Sequence, residues 1–543
     1  MPQAQHPHPV VLPTPPSDAE KYSYLSGRRF VLHCFGVLAF LSLHLGAWLF
    51  ALSSSEFLWF LPFVVVVQLY HLLWSAIDFT GRDFDFSDHK ETLRNYAVST
   101  ENEPSVDIFL PCCNESLEIL ENTYTYIAQL DYTNLRIWVL DDSARPAVAA
   151  LAQQGRFGFN YIQRPNRLLG KAGNRRFAFA QTSAEFFAVF DTDMCPRPEF
   201  LKEVVPVMRR YAEAAIVQTP QYFRVCGEQT WAERGAGPQV EVPFRVDQVN
   251  RDRLGATACV GSNALYRREA LKDVGGAFPI AYSEDEHTGF QTIKRGWQVK
   301  YLPLPMVCGT CPDSAQVYFS QQVRWWQWCA TAPTLVLQRD FWDAKLGIMQ
   351  RLCWVAPLFG YIPNALFPFL WPLPALLLTW LKPDLVRWYW WGLVAPTIFN
   401  SHVVRSLWSR QVYVFLSYHQ TQCIQRYTHL TSLADQLFGT VSGWVASGHT
   451  NSVNLPSDTG VQVDVDDENT PLIGDVATNS KSTISKYDRM RVLCAVWVYG
   501  TTAALVVGVS EQARSGYGLV EFVPGLLCAT YEIWRTWAFI WWA

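Results

Sequence analysis

The residues of this sequence best suited to chemistry are acids that follow short apolar runs. Asp191-Thr192-Asp193 follows the run 186–190, and two carboxylates that flank one residue can share a hard divalent cation. For such a motif alone, a polar turn that caps a strand is the simpler interpretation. Asp141-Asp142 and Glu284-Asp285 add acids at other strand or helix ends, and packed like charges repel unless a cation lies among them. The sequence therefore predicts a site for a metal and a diphosphate.

Cationic and aromatic residues accompany the acids. Lys171 opens the motif K-A-G-N, in which a lysine can reach a phosphate and a glycine allows close backbone approach. Gln321, Arg324 and Trp325 have the spacing Q-x-x-R-W, which at helical pitch brings an amide, a guanidinium and an indole together. This set suits a diphosphate beside a sugar ring, and an anchor at a membrane edge is the alternative.

Composition restricts the class of protein. Of the 543 residues, 50% are hydrophobic and 15% aromatic, concentrated at the two ends of the chain. The net charge of −4 gives no reason to expect nucleic acid as a partner. The 13 cysteines are odd in number and widely spread, which predicts reduced thiols rather than a disulfide framework.

Apolar runs predict a multi-pass membrane protein. Each run is long enough to cross a hydrocarbon layer of about 30 Å as a helix. The third run contains several prolines and is also compatible with a re-entrant hairpin. Six spans are predicted, at 30–52, 57–77, 352–381, 388–407, 492–509 and 519–542. Arg28, Arg29, Arg82 and Lys90 flank the first pair, which places the middle region and both termini in the cytosol.

The middle region alternates short apolar runs with helical patterns, as in an α/β domain with a mainly parallel sheet. Ligands of such sheets bind at the carboxyl ends of the strands, where the acids lie. The polar segment 411–448 is interpreted as amphipathic and placed along the cytosolic surface. The predicted parts are a disordered cytosolic tail (1–29), a transmembrane hairpin (30–78), a cytosolic catalytic domain (79–340), interfacial helices and spans (341–448), a disordered cytosolic loop (449–489) and C-terminal spans (490–543).

Seven motifs in order resemble those of processive family 2 glycosyltransferases, most of all cellulose synthases and cellulose synthase-like proteins. The resemblance covers about 106–351, and an ordered series is much more specific than any one motif. The motifs are Asp141-Asp142, Lys171-Ala172-Gly173-Asn174, Asp191-Thr192-Asp193, Gln218-Thr219-Pro220, Cys259-Val260-Gly261-Ser262-Asn263, Ser283-Glu284-Asp285 and Gln321/Arg324/Trp325.

The resemblance implies a GT-A domain inserted in a transmembrane helical bundle of about six spans plus interfacial helices. It further implies inverting transfer of glucose from UDP-glucose to the non-reducing end of a growing β-glycan. The polymer would be extruded across the bilayer, and the plasma membrane is the expected location. Asp191 and Asp193 would hold Mg²⁺ or Mn²⁺, and Asp285 beside Glu284 would be the catalytic base. The implied substrate-binding residues are Asp141, Asp142, Glu115, Lys171, Gln321, Arg324, Trp325, Cys259, Gly261 and Ser262.

Some positions depart from the family pattern. Cys113 stands where many members have an aromatic partner for uracil, and Met194 follows the D-x-D motif where bacterial relatives have histidine. Ser283 replaces a threonine, and residues 444–449 are a poor match to a gating loop. A polymerase that uses UDP-N-acetylglucosamine, a non-processive transferase that glycosylates one lipid and an inactive scaffold are the alternatives. The presence of Asp191, Asp193 and Asp285 argues against the scaffold.

Overall fold

The computed structural model describes residues 11–25, 29–81, 83–280, 283–337, 339–409, 415–438 and 485–542. Arg28, Arg82 and most of the predicted loop 449–489 lie outside these ranges, as does the gating-loop candidate 444–449. The first helix of the described chain is α1 (Asp18–Lys21), which Ser17 caps through its side chain. The hairpin follows as α2 (Arg29–Leu52) and α3 (Leu61–Phe79).

A seven-stranded sheet forms the centre of the catalytic region, in the order β3-β2-β1-β4-β8-β6-β9, and a three-stranded sheet, β5-β10-β7, lies beside it. The strands are β1 (Val106–Cys112), β2 (Leu135–Asp141), β3 (Asn160–Ile162), β4 (Phe186–Val189), β5 (Met194–Pro196), β6 (Ala214–Gln218), β7 (Tyr222–Phe223), β8 (Ala264–Arg267), β9 (Gln298–Tyr301) and β10 (Val307–Gly309).

Three neighbouring parallel strands end at the same edge of the seven-stranded sheet, where the predicted site lies. β1 pairs in parallel with both β2 and β4, with Ile108 opposite Ile137 on one side and Ala188 on the other. All four residues of β4 are buried, as expected for a strand covered on both faces. Because β1, β2 and β4 end side by side, the acids that follow them lie near one another, as the sequence predicts.

Nine helices, α4 to α12, cover this sheet or connect its strands within the described residues. Local capping sets several of their starts: Ser116 accepts a hydrogen bond from the Ile119 amide, and Thr230 forms a capping box with Glu233. They are α4 (Phe86–Asn95), α5 (Leu117–Ile127), α6 (Pro146–Ala152), α7 (Gly170–Gln181), α8 (Phe200–Arg210), α9 (Trp231–Gln239), α10 (Gln248–Arg253), α11 (Arg268–Asp273) and α12 (Glu284–Lys294).

From Ala315 onward, the described residues form helices joined by short connections. These helices are α13 (Ala315–Leu337), α14 (Arg339–Asp343), α15 (Ile348–Leu370), α16 (Leu373–Leu381), α17 (Trp391–Phe399), α18 (Arg405–Trp408), α19 (Ser417–Phe438), α20 (Lys486–Arg514) and α21 (Val523–Trp541). α20 starts inside the predicted loop 449–489, so that loop ends earlier than expected.

Four segments of the described chain are long and apolar enough to cross a membrane, which agrees with a multi-pass protein. They are Phe30–Leu52, Ser55–Phe79, Ile348–Leu370 and Lys486–Arg514. The predicted spans at 388–407 and 519–542 are largely helical, but their helices are not both long and apolar enough to be counted with these four. The predicted total of six spans therefore stays a prediction. The predicted span 352–381 is two helices, because the chain turns at Trp371-Pro372 between α15 and α16.

The prediction of a disordered N-terminal tail is wrong for residues 11–25, which pack on the catalytic region with Lys21 and Tyr24 buried. Helix α19, in the polar segment predicted to lie along the cytosolic surface, packs among α9, α13, α15 and α21. Its Thr431 and Ser432 are buried and hydrogen-bonded, to the Tyr427 and Val323 carbonyls. Both segments bury polar side chains, because polar groups that find partners can be buried. The position of α19 relative to the membrane stays a prediction.

Sequence reasoning overlooked one C-x-x-C spacing, Cys308 to Cys311, which lies on and after β10. Both thiols are free and buried. Burial raises the pKa of Cys308 to about 11, and raises that of Cys311 as well. These thiols therefore stay protonated and pack as small apolar groups.

Candidate active site

The D-x-D turn is held by its backbone. The Asp191 amide donates to Ser262 Oγ at 2.9 Å, and the Thr310 amide donates to the Asp193 carbonyl at 3.2 Å. Thr123 Oγ1 donates to the Thr192 carbonyl at 2.8 Å. Since none of these bonds uses the Asp191 or Asp193 carboxylates, the turn is fixed without either acid side chain.

The charges around this turn are closely coupled. Lys171 Nζ contacts the Asp191 carboxylate. Burial raises the pKa of Asp193, and the neighbouring Asp191 and Glu115 raise it further. Burial lowers the pKa of Lys171, but the charges of Asp191 and Glu284 outweigh this and raise it overall. The site thus concentrates negative charge that a cation would stabilise.

The donor set suits a hard metal bound together with a ligand. The described residues contain no group of three or more His, Cys, Asp and Glu side chains arranged to hold a metal. Asp191 and Asp193 offer carboxylate oxygens only, which is the chemistry that Mg²⁺ and Mn²⁺ prefer. Mg²⁺ usually keeps several waters and is bound by one or two carboxylates plus substrate phosphates, so two acids are sufficient. Glu115 is less available, because its carboxylate accepts from the Cys113 and Asn114 amides at 2.7 and 3.1 Å.

The Asp141-Asp142 pair already has partners. Asp141 accepts from the Ser143 amide at 2.6 Å and from the Tyr161 hydroxyl at 2.8 Å. Both oxygens of Asp142 accept from Arg164, each at 2.7 Å. These carboxylates hold the end of β2 in shape, and their role toward a nucleotide stays a prediction.

Arg164 is a residue that the sequence did not single out. Its guanidinium also donates to the Leu168 carbonyl at 2.5 Å and to the Gly170 carbonyl at 2.8 Å. It therefore joins Asp142 to the loop before Lys171. Gly173 is required beside it, since a Cβ there would come within 2.0 Å of the Leu168 carbonyl oxygen and 2.4 Å of Arg164 Nη1.

We predict that Arg164→Met lowers the free energy of unfolding by about 3 kcal/mol, because it leaves the buried Asp142 carboxylate unpaired. Thermal unfolding followed by tryptophan fluorescence measures the change. Arg156→Met is the matched control, since Arg156 and Glu121 form an exposed pair expected to contribute about 0–1 kcal/mol. An equal loss of unfolding free energy in the two variants would contradict the predicted contribution of the buried Arg164–Asp142 pair.

The Q-T-P motif, whose purpose the sequence did not reveal, supports the loop 259–263. The Gln218 side chain accepts from the Val260 amide at 3.0 Å and donates to the Ser262 carbonyl at 2.8 Å. Thr219 donates from both its amide and its hydroxyl to the Asn263 carbonyl. Because Ser262 in turn holds Asp191, the motif acts on the D-x-D turn through this loop.

The predicted base lies against the same loop. Asp285 is in the first turn of α12, and a Cβ built on Gly261 would lie 2.4 Å from Asp285 Oδ2, so only glycine fits. Gly261 also has a φ of +77°, which glycine adopts without strain. Burial and the charge of Glu284 together raise the pKa of Asp285 to about 7, although Lys171 and Arg175 oppose the rise.

The side chains of Glu284 and Cys259 are both in contact with other protein side chains. The buried Glu284 carboxylate accepts from Arg175 Nη1 at 3.3 Å. Cys259 Sγ lies 3.2 Å from the Tyr266 hydroxyl, and its Cβ packs on Gly289 of α12. Glu284 therefore orients the start of α12 in this structure, and sequence reasoning missed the part played by Arg175.

The Q-x-x-R-W residues lie on α13, as predicted for helical spacing. Trp325 is 39% exposed, and neither it nor Gln321 hydrogen-bonds another described residue. The neighbouring Gln322 is buried and accepts from Gln425 of α19 at 3.1 Å. These contacts place the motif on the first long helix after the two sheets.

Comparison with known proteins identifies the class of this domain. Residues 107–275 match the model of the glycosyl transferase family 2 domain. The chain is 30% identical over 273 residues to cellulose synthase 1 of Komagataeibacter xylinus, covering 49% of this chain and 17% of that protein. It is 29% identical over 279 residues to the UDP-forming cellulose synthase catalytic subunit of Xanthomonas axonopodis pv. citri (strain 306), covering 50% of this chain and 37% of that one.

Among solved structures, a mannosyltransferase of Pyrobaculum calidifontis in complex with GDP-Man and Mn²⁺ is 16% identical, with a TM-score of 0.46 over 69% of this chain and 99% of that one. The match to the family model and the curated relatives supports a domain of the family 2 glycosyltransferases. The resemblance to cellulose synthases that the motif series predicts is therefore confirmed. The chain spans well under half the length of these cellulose synthases.

Proposed function

We propose that this protein is a membrane-embedded, metal-dependent glycosyltransferase that makes a β-glucan from UDP-glucose and passes the polymer across the membrane. One observation carries the proposal: the Asp285 carboxylate and the Lys171–Asp191 pair converge on the loop 259–263. Asp285 lies against Gly261, and Asp191 is bound to Ser262. A base and a diphosphate-binding site are thereby joined by one rigid loop.

The proposed reaction is a direct displacement. The carboxylate of Asp285 accepts the proton of the acceptor hydroxyl, whose oxygen attacks the anomeric carbon of the donor sugar. The bond from that carbon to the diphosphate breaks, UDP leaves with the electron pair, and the configuration inverts. Lys171 supplies positive charge to the leaving diphosphate, and Arg324 is assigned the same task.

A divalent metal held by Asp191 and Asp193 would stabilise the charge that develops on the diphosphate. Trp325 is assigned to stack on the terminal acceptor sugar, for which its exposed indole is suited. Glu115, Asp141 and Asp142 are assigned to the nucleotide side.

We expect kcat/KM to fall about ten-fold per pH unit below about pH 7, because the base must be deprotonated and burial raises the pKa of Asp285 to about 7. A pH–rate profile at saturating metal measures this, since saturation removes the contribution of Asp193 to metal binding. An acidic limb near the ordinary carboxyl pKa of about 4 would contradict the assignment.

The substrate is tested by incorporation of radiolabel from a panel of UDP-sugars with Mg²⁺ or Mn²⁺, followed by digestion with linkage-specific glucanases. Polymer from UDP-glucose that these enzymes degrade is the expected result. Polymer from UDP-N-acetylglucosamine alone would favour the chitin or hyaluronan type. No polymer from any sugar would refute the polymerase proposal.

A non-processive transferase that glycosylates a lipid is the second candidate, and a cavity in the helical half favours it. The cavity has a volume of about 240 Å³ and is lined mainly by apolar side chains, among them Phe50, Val64, Leu378 and Leu505. An apolar cavity suits a hydrocarbon chain better than a hydroxyl-rich glycan. Radiolabelled product that extracts into organic solvent and resists glucanase would support this candidate.

A further inference from the structure

Residues 11–25, here termed the N-terminal strap, lie across the outer side of the catalytic region. The strap begins with a proline-rich stretch that cannot continue a helix, and then forms α1. A capping box starts α1: the Glu20 amide donates to Ser17 Oγ, and the Ser17 amide donates to Glu20 Oε2 at 2.7 Å. The strap thus has local order of its own in addition to its contacts with the domain.

Ion pairs fix the strap to the two outer strands of the three-stranded sheet. Arg224, which follows β7, donates to both oxygens of Glu20 at 2.7 and 2.8 Å. Arg197, which follows β5, donates to Asp18 at 2.6 Å. Tyr222 on β7 adds a hydroxyl bond to Glu20 at 3.1 Å. Burial raises the pKa of Glu20, but bonds from Arg224 and Ser17 outweigh it and lower the pKa to about 2, so Glu20 is charged at neutral pH.

Buried contacts complete the docking. Lys21 is only 5% exposed and donates to Glu203 and Glu199 of the α8 region at 2.6 and 3.2 Å. Tyr24 is equally buried, and its ring meets that of Tyr222 edge-on with centroids 6.0 Å apart. Paired buried charges contribute little net stability, but they specify one geometry.

The strands that the strap holds also carry the site. β5 begins immediately after Asp193, and β7 begins two residues after Pro220 of the Q-T-P motif. β10 pairs with both, and the amide of Thr310, the residue after β10, donates to the Asp193 carbonyl.

One side chain links the strap to β5 directly. The Asn122 amide group of α5 donates to the Pro13 carbonyl at 2.8 Å and to Cys195 Sγ at 3.2 Å. The next residue, Thr123, holds the Thr192 carbonyl inside the D-x-D turn. Movement of the strap would therefore be transmitted to the turn through both the sheet and α5.

We propose that the N-terminal strap is a positioning element for the D-x-D turn, which fixes β5 and β7 on either side of β10 so that Asp191 and Asp193 are held ready for the metal and diphosphate. The strap contacts neither acid and acts only through the sheet and α5. This inference rests on the proposed role of Asp191 and Asp193.

The test reverses the charges of the Glu20–Arg224 pair in the full-length protein. Glu20→Arg and Arg224→Glu are each expected to raise the metal concentration for half-maximal rate about ten-fold, since a charge-assisted bond pair is lost. Hydrogen exchange of residues 191–197 should rise in parallel. The double variant, in which the pair re-forms with opposite polarity, should recover most of both losses.

Lys202→Glu is the matched control, because Lys202 of α8 forms an exposed pair with Asp131 and does not touch the strap. It should leave both readouts at wild-type values. Hydrogen exchange needs no sugar donor, so it tests the strap even if no glycan is formed and the proposed function fails.

Two results would overturn the proposal. One is faster exchange of residues 11–25 in Glu20→Arg with unchanged exchange at 191–197 and an unchanged metal requirement. The other is wild-type behaviour of both readouts after deletion of residues 11–25.

Discussion

Asp285→Asn is expected to lower kcat by about 10²- to 10⁴-fold, the usual contribution of a positioned general base. The amide has the shape of the carboxylate but cannot accept the acceptor's proton. Because Asp285 lies against Gly261 with little free space, an isosteric change is the one that leaves the loop 259–263 undisturbed. Initial rates of sugar transfer measure the loss, and binding of UDP with Mn²⁺ by calorimetry should stay within about three-fold of wild type.

Glu286→Gln provides the matched control for this variant. Glu286 is the next residue of α12, and burial together with Asp285 raises its pKa to about 8. It is therefore mostly protonated at neutral pH, and glutamine mimics that form. The rate should change by less than about ten-fold. If Asp285→Asn retained more than a tenth of the wild-type rate, Asp285 would not be the base.

Glu284→Gln separates positioning from chemistry at the same motif. Glu284 is paired with Arg175, so its loss is expected to reduce stability and disturb the first turn of α12 without removing the proton acceptor. The sequence assigned Glu284 and Asp285 to catalysis together. In the structure Glu284 pairs with Arg175, whereas Asp285 lies against Gly261. Two adjacent acids in a sequence motif do not reveal this difference.

The elements that sequence reasoning located are those whose signal is local. The runs that became β1, β2 and β4 are continuous apolar segments ended by acids, so both the strands and their carboxyl-end site were predictable. These features depend on a few neighbouring residues.

The parts that were missed depend on partners far apart in the chain. Gln218 acts through residues 260–262, and Glu20 pairs with Arg224, 204 residues away. Arg164 donates to Asp142 across 22 residues. A single sequence gives no sign of such pairs, because each arginine or glutamine taken alone also fits a solvated surface.

Asp193→Asn is expected to lower the rate about a thousand-fold at a metal concentration that saturates the wild type, which corresponds to about 4 kcal/mol of transition-state stabilisation. An amide oxygen is a weaker ligand than a carboxylate for a hard cation, and the backbone bonds that hold the turn do not involve this side chain. Part of the loss should therefore return as metal is added. The dependence of rate on Mn²⁺ concentration and the metal dependence of UDP binding measure both effects.

Met194→Leu is the control, because Met194 is buried and packs on Gly309, and a change of similar volume removes no oxygen ligand. Its metal dependence should match wild type. Lys171→Met gives the contrasting case: it removes the cation beside Asp191, so it should weaken binding of the diphosphate while free Asp191 still binds metal. The rate of Asp193→Asn could instead depend on Mn²⁺ concentration as the wild-type rate does. The negative charge of this turn would then pair with Lys171 and stabilise the fold, and it would not bind a metal. The expected change in metal dependence has a physical reason, since a bound cation would stabilise the charged form of a buried acid that lies near Asp191 and Glu115.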